Sequence, residues 1–142
     1  MPGMETIMAV PKDKRNNGDL VVNTTARGIC AHLLHITANE KNFPSSQSHF
    51  IVKMRDLAIQ VDLDCWSANN ILVDNAENYH DRLRLQEQAA RNCTIMLELI
   101  NIAKQLFHIP TKRYVYLTTQ YVQLRKMIRN WYKSDRERLK PQ

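Results

Sequence analysis

Nine of the twenty lysines and arginines fall within residues 111–142, together with only two of the fourteen carboxylates. This stretch has a formal charge of +7, whereas residues 1–110 have a formal charge of −1. Closely spaced cations that lack acidic neighbours attract polyanions such as the phosphate backbone of a nucleic acid. The charge pattern therefore predicts a phosphate-binding surface near the end of the sequence.

The basic side chains recur at positions that one amphipathic helix would hold on a single surface. With Tyr114 as heptad position a, the apolar a/d series is Tyr114, Leu117, Tyr121, Leu124, Ile128 and Trp131. The cations opposite or beside this series are Arg125, Lys126, Arg129, Lys133 and Arg136. Other cations extend the set at its ends: Lys112, Arg113, Arg138 and Lys140, with Lys104 approaching from the preceding element. We expect one basic stripe on the outside of a packed helix.

A basic stripe on a helix has two interpretations. It can be a solubilising outer face, which is common in helical bundles, or a surface that binds phosphates. Solvated faces usually interleave charges of both signs, and here Asp135 and Glu137 are the only acids. The near absence of acids favours phosphate binding. Tyr132 lies among the cations and could stack on a nucleic-acid base or anchor the edge of the apolar seam.

Catalytic and metal-binding patterns are scarce in the chain. His32 and His35 are three residues apart and could share a metal ion, but no H-E-x-x-H or E-x-x-H pattern accompanies them. Asp62 and Asp64 are two residues apart, so on a helix their side chains point in different directions. With only three glycines and no glycine-rich motif, a phosphate-cradling loop is not expected. We expect a protein that is not an enzyme and needs neither a metal nor another cofactor.

Composition narrows the class of protein further. The 44% hydrophobic content and the length of 142 residues suit one compact domain with a real core. No apolar run is long enough for a membrane span, and the N-terminal residues lack the pattern of a secretory signal. Cys30, Cys65 and Cys93 are widely spaced, each within an apolar helical pattern, so we interpret them as small core residues. An intracellular, cytoplasmic location is expected.

Hydrophobic periodicity predicts an all-α fold with four helices. The first begins with Asn23 or Thr24 as N-cap and ends near Asn39. The second follows Pro44 and ends near Asn70, and the third and fourth span about 76–108 and 112–139. The apolar series of the second helix is Phe50, Met54, Leu57, Val61, Cys65, Ala68 and Leu72. Short connections between amphipathic helices are typical of an up-down-up-down antiparallel four-helix bundle.

The remaining organisation is simple. Residues 1–22 contain Lys12, Lys14 and Arg15 and show no sustained periodicity, which predicts a flexible basic arm ahead of a bundle at residues 23–140. The second half of the third helix is apolar nearly all round, from Ile95 to Phe107. Such a segment must be covered on more than one side. Either a subunit interface or a position at the centre of the monomer would cover it.

Several short stretches, taken in order and spacing, resemble the accessory variability determinant family of diversity-generating retroelements. They also resemble the broader group of four-helix bundles that includes the intervening-sequence protein of ribosomal RNA. The matching stretches are NTTAR at 23–27, CWSANNI at 65–71, Tyr79 with Arg82 and Gln86, IAKQLF at 102–107, and RNWYKSDRER at 129–138. They extend over roughly residues 20–138, and none is a catalytic fingerprint.

The resemblance implies a non-enzymatic partner of a retroelement reverse transcriptase, assembled as a ring of bundles, with a pentamer as the expected form. Its basic surface would bind the enzyme and structured template RNA, with DNA as a further candidate ligand, and would support mutagenic cDNA synthesis. Carried over by position, the binding residues are Lys104, Lys112, Arg113, Arg125, Lys126, Arg129, Lys133 and Arg136. The alternative is a four-helix-bundle interaction module that binds an acidic protein and no nucleic acid.

Overall fold

The computed structural model describes residues 17–141 and contains four α-helices, with no strand among those residues. The helices are α1 (Asn17–Thr37), α2 (Ser48–Asn69), α3 (Ala76–Leu106) and α4 (Thr111–Arg138), with a short 3-10 helix, Ser45–Gln47, ahead of α2. Each helix packs against the next along the chain, and α1 also packs against α4. This packing is compatible with a four-helix bundle, so the expected all-α class is confirmed.

The first helix begins earlier than the sequence pattern predicted. Neither Asn23 nor Thr24 caps it, because α1 is already helical from Asn17. Val22 is buried and continues the apolar spacing of Ala26 and Ile29 towards the N-terminus, so packing extends the helix past the expected cap. Residues 17–22 are therefore helical, whereas the rest of the expected basic arm, residues 1–16, lies outside the described residues.

The other helix ends lie within about two residues of their predicted positions, except that the 3-10 helix Ser45–Gln47 separates Pro44 from the start of α2. The side chain of Asn75 caps α3 by accepting a hydrogen bond from the backbone N–H of Asn78 at 2.8 Å. Pro44 precedes the 3-10 helix and Pro110 precedes α4, where the absence of a backbone N–H costs nothing. The proline positions therefore predicted these two starts well.

The apolar seam of α4 is confirmed. Leu117, Tyr121, Leu124, Ile128 and Trp131 are buried, and Tyr114 is half-buried. Because the a/d residues fill the core, the opposite positions of α4 must face outwards.

The seam predicted for α2 is correct in its centre and too narrow at its edges. Met54, Val61, Cys65 and Ala68 are buried as expected, but Phe50 and Leu57 are only partly buried and Leu72 lies exposed beyond the helix end. The buried face also takes in residues outside the predicted series, namely Ile51, Ala58, Asp64 and Asn69. It is wider because α2 packs against both α1 and α3.

Most of the apolar half of α3 is covered within the monomer. Met96, Leu99, Ile100 and Ala103 are buried, and only Ile95 and Leu106 among the large apolar residues of that half are exposed. A central position in the monomer therefore accounts for most of this segment.

Polar contacts between helices fix their relative directions. Arg55 of α2 donates hydrogen bonds of 2.7 Å to the Leu34 carbonyl oxygen and to Thr37 Oγ1, so the start of α2 lies against the end of α1. Tyr79 contacts Arg136, and Arg125 contacts Thr94, so α3 and α4 run in opposite directions. Within residues 17–141, no helix has the length and apolar character needed to cross a membrane.

Candidate nucleic-acid interface

The outermost face of α4 changes character halfway along the helix. Exposed residues recur every three or four positions: Lys112, Val115, Thr119, Val122, Lys126, Arg129, Lys133 and Arg136. The first half of this face contains apolar or small residues after Lys112, whereas every position in the second half is a cation. We call Lys126, Arg129, Lys133 and Arg136 the basic row. At 1.5 Å per residue it extends about 15 Å along the helix.

The two acids of this region reduce the positive charge of the basic row very little. Asp135 is fully buried and points into the protein, where it accepts hydrogen bonds from Arg82 and Gln86 of α3. Glu137 is exposed, and its Oε1 lies 4.0 Å from Nε of Arg136. An exposed pair at this distance is weak. The face is therefore more uniformly positive than the sequence composition alone indicated.

A groove between α3 and α4 adjoins the basic row. Its walls carry Arg91, Thr94, Arg129 and Tyr132, and the remaining lining residues are Gln86, Glu87 and Ala90. Arg125, which lies partly buried beside this groove, donates from Nη1 to Thr94 Oγ1 at 3.1 Å. Three arginines, at positions 91, 125 and 129, are thus brought together from two helices. We call this feature the α3–α4 groove.

Arg91 is a candidate site residue that sequence reasoning missed. It is exposed on α3, in the polar half of that helix, and only packing of α3 against α4 places it in the same groove as Arg129. No local spacing could have revealed the pair, because the two residues lie on different helices.

The remaining predicted site residues have different surroundings. Lys112 is exposed and Arg113 is half-buried at the start of α4. Lys104 donates from Nζ to the Ile109 carbonyl oxygen at 2.7 Å and lies 3.5 Å from Thr111 Oγ1. Lys104 therefore ties the end of α3 to the loop before α4, and these three residues lie at the opposite end of α4 from the basic row.

A buried polar network holds the C-terminal half of α4 in place. Asp135 accepts from Arg82 Nε and Gln86 Nε2 at 2.7 Å each through Oδ2, and from Arg138 Nη2 at 2.7 Å through Oδ1. Arg82 also donates to the Ala68 carbonyl oxygen at 2.9 Å, which links α2 to the same network. Because Asp135 lies between Lys133 and Arg136 in sequence, the network fixes the part of the helix that presents these cations.

Aromatic contacts complete this support. The guanidinium of Arg82 lies 5.2 Å from the ring centroid of Trp131. Tyr79 donates from its hydroxyl to the Arg136 carbonyl oxygen at 2.6 Å, and burial raises the pKa of the Tyr79 hydroxyl. The guanidinium of Arg136 in turn lies 5.5 Å from the ring centroid of Tyr132. Residues from three of the stretches on which the family resemblance rests therefore meet in one place.

The first half of the α4 face has a different chemistry. Val115, Tyr116 and Val122 are exposed, beside Lys112 and Arg113. The Tyr116 ring meets His32 of α1 edge-on, with ring centroids 5.0 Å apart and the Tyr116 hydroxyl 3.1 Å from His32 Nδ1.

A second exposed apolar stripe lies on α2. It contains Val52, Ile59, Leu63 and Trp66, whose spacings of seven, four and three residues place them along one side of the helix. All four side chains are at least 39% exposed, which is unusual for so many large apolar residues on one helix face.

The groups considered for metal binding or acid/base chemistry are dispersed or buried. No three His, Cys, Asp or Glu side chains lie close enough to hold a metal ion within residues 17–141. Cys30, Cys65 and Cys93 are buried free thiols, as expected for core residues, and burial raises the pKa of Cys93 to about 12. These thiols are poor nucleophiles at neutral pH.

Asp64 has a surrounding that periodicity did not predict. It is buried between α2 and α3, and its carboxylate accepts from Gln60 at 2.7 Å and, more loosely, from Gln88 and Asn92 at 3.3 to 3.4 Å. Burial raises its pKa, while the three amides act in the opposite direction. Burial also raises the pKa of Asp62, on another side of the helix, and the nearby Arg27 lowers it.

Comparison with known proteins provides no relative from which a role could be transferred. No protein-family model, no curated protein and no solved structure matches this chain.

Proposed function

We propose that this protein is a non-enzymatic accessory protein of a diversity-generating retroelement. In this role it acts in the cytoplasm, binds the reverse transcriptase and the template RNA through its basic surface, and supports mutagenic cDNA synthesis. The observation that carries the proposal is the basic row, with four exposed cations on one face of α4 and the neighbouring Asp135 turned inwards. The proposed role requires positioning of other molecules and no reaction by this chain.

Rigidity is the first argument for a binding role of the basic row. Long lysine and arginine side chains lose conformational entropy when they bind a ligand. Because the helix backbone is already held in place by other contacts, only the side chains add to this entropic cost. Asp135 and Trp131 hold α4 from the inside, and Tyr79 holds the backbone of Arg136. Phosphate groups that meet the row then release their counterions, which is the main source of affinity for nucleic acids.

The family resemblance is the second argument. Three of its five matching stretches, one each from α2, α3 and α4, supply Ala68, Arg82, Gln86, Trp131 and Asp135 to the buried network behind the basic row. These residue types occur together at this spacing because they contribute to one structural feature. The antiparallel contacts of α1 with α2 and of α3 with α4 are in keeping with the up-down-up-down arrangement that we propose for the bundle.

Assembly into a ring is part of the same proposal, with a pentamer as the form that the resemblance implies. The support is the exposed apolar stripe on α2, Val52, Ile59, Leu63 and Trp66, which a neighbouring subunit would cover. A ring would repeat the basic row around its surface and raise avidity for one RNA without any new contact.

Light scattering tests the assembly. We expect a mass of about five chains for the wild type, and dissociation when Leu63 and Trp66 are both changed to glutamate. Gln105→Glu, at an exposed α3 position outside the stripe, is the control. A wild type that is monomeric at the concentrations used for RNA binding would contradict the ring.

Reconstituted cDNA synthesis tests the function itself. We expect a reverse transcriptase gene beside the gene for this protein, with a template repeat and a variable repeat nearby. Purified protein added to that reverse transcriptase and its template RNA should increase the cDNA yield. The variant K126E/R129E/K133E should not, because it removes three of the four cations of the row. An equal cDNA yield with and without the wild-type protein would refute the proposal.

A second candidate function is a protein-interaction module that binds an acidic protein and no nucleic acid. It is favoured by the first half of the α4 face, where Val115, Tyr116 and Val122 lie exposed beside Lys112 and Arg113. Apolar and cationic side chains in this mixture are common where proteins bind one another. Affinity purification followed by nuclease treatment separates the two functions. An acidic partner that stays bound after nuclease treatment would favour the second function. RNA that is recovered before nuclease treatment with the wild type, but not with K126E/R129E/K133E, would favour the first.

A further inference from the structure

We propose that the α3–α4 groove holds one unpaired nucleotide, so that this protein prefers single-stranded nucleic acid over a duplex. The inference rests on the proposed nucleic-acid binding and adds the class of ligand. The basic row by itself would bind any phosphate backbone, but the groove adds an aromatic ring and hydrogen-bonding groups that only an unstacked base can reach.

Tyr132 supplies the stacking surface. It lines the groove together with Arg91, Thr94 and Arg129, and the guanidinium of Arg136 lies 5.5 Å from its ring centroid. That guanidinium belongs to an exposed side chain and can swing towards a phosphate, which would leave its place on the ring face to a base. Aromatic residues surrounded by cations are the usual design of sites for single strands.

Gln86 forms part of the groove wall and is held in place. It is fully buried and lines the groove, and its Nε2 donates to Asp135 at 2.7 Å. The wall of the groove is therefore tied to the buried network behind the basic row.

Glu87 strengthens the case for a base over a phosphate at this point. It is exposed on the rim of the groove, where its carboxylate would repel a phosphate but would accept from an amino group. Phosphates are instead expected on either side, at Arg91 and at Arg129. The groove therefore offers different residues to the base and to the phosphates of a nucleotide.

Duplex nucleic acid does not fit this arrangement. In a duplex the bases are paired and stacked, so extracting one costs a few kcal/mol before any contact is made. An extended single strand has no base pairs to give up, and its backbone can adapt to the basic row, whose successive residues are about 4.5 to 6 Å apart along the helix.

Binding of an RNA of about twelve mixed nucleotides, compared with the same strand annealed to its complement, tests the inference. We expect wild-type protein to bind the single strand about tenfold more tightly at equal salt, the gain of one stacked base. Tyr132→Leu should lose about tenfold in single-strand affinity and change duplex affinity less than twofold. Tyr132→Phe keeps the ring and should behave like the wild type, which separates stacking from loss of the hydroxyl.

Ultraviolet cross-linking keeps the test independent of how the variants fold. Irradiation of the wild-type complex with the same single-stranded RNA should yield a cross-linked peptide that contains Tyr132. Equal affinities for single strand and duplex, or cross-links confined to other residues, would overturn the inference and leave the proposed function standing. No binding to either RNA would overturn both.

Discussion

Nε of Arg82 lies 2.7 Å from Oδ2 of Asp135, although the two residues are 53 positions apart in the chain. Both side chains are buried, at 1% and 0% exposure. The pair joins α3 to α4 directly behind the basic row, and Gln86 and Arg138 share the same carboxylate. Loss of either member leaves a charge in the interior without its main partner.

Breaking this pair should destabilise the protein strongly. We expect Arg82→Met or Asp135→Leu to lower the free energy of unfolding by about 3 to 5 kcal/mol, measured by urea denaturation. The double variant should lose less than the sum of the two single losses, since neither member of the pair then remains buried without the other. The control is Asp81→Asn, which removes the exposed partner of Arg84 at 3.9 Å and should cost less than about 1 kcal/mol. Additive losses in the double variant would contradict the account.

Asp64 should make stability depend on pH in a defined direction. Burial raises its folded pKa above the unfolded value of about 3.9, so the protonated form is favoured in the folded protein. Its contribution to stability is therefore fully present below the unfolded pKa and is lost as the pH rises through the folded pKa. In Asp64→Asn this loss is absent. The stability of the wild type relative to Asp64→Asn should fall as the pH rises from about 4 towards neutrality. A difference that stays constant or rises would be the wrong sign.

Gly28 offers a stabilising substitution. It lies exposed inside α1, and a Cβ atom placed there would meet no other atom within 4 Å. Glycine within a helix costs about 0.5 to 1 kcal/mol relative to alanine, because it has more backbone freedom to lose. Gly28→Ala should therefore raise the free energy of unfolding by that amount in thermal or urea denaturation. A lower stability would mean that this face of α1 is not open in solution.

Arg55 should protect the end of α1. Its two hydrogen bonds, to the Leu34 carbonyl oxygen and to Thr37 Oγ1, are charge-assisted and satisfy groups in the last turn of the helix. Arg55→Met should cost about 1.5 to 3 kcal/mol and accelerate amide hydrogen exchange at Ala38 and Asn39. Thr37→Val, which removes only one of the two acceptors, should have a smaller effect on both readouts. Unchanged exchange at these amides would contradict the capping role.

Periodicity was sufficient for the parts of the fold that each helix determines by itself. The seam of α4 follows from its spacing alone, and proline and asparagine marked most helix ends. It was insufficient where a residue's partner lies on another helix. Arg82 and Gln86 are polar and have no hydrophobic signal, so periodicity could not predict their burial, which depends on Asp135.

One signal for this network was present in the sequence. Asp135 occupies heptad position a, the next seam position but one after Ile128, so its inward orientation could have been inferred from the same register that predicted Trp131. The α3–α4 groove had no such signal. Arg91 and Arg129 line the same groove only because two helices pack together, which spacing along one helix does not encode.

The salt dependence of RNA binding tests the central claim most directly. The proper comparison for K126E/R129E/K133E is R27E/K41E/K53E, which changes three exposed cations outside α4 and has the same net charge. Wild-type protein and the control should show a log affinity that falls with log salt with a slope of about −3, as expected for four phosphate contacts. The α4 variant keeps only Arg136 of the four cations, so it should bind far more weakly, with a slope of about −0.7. Equal slopes and affinities for the two triple variants would show that overall charge, and not the basic row, binds the RNA.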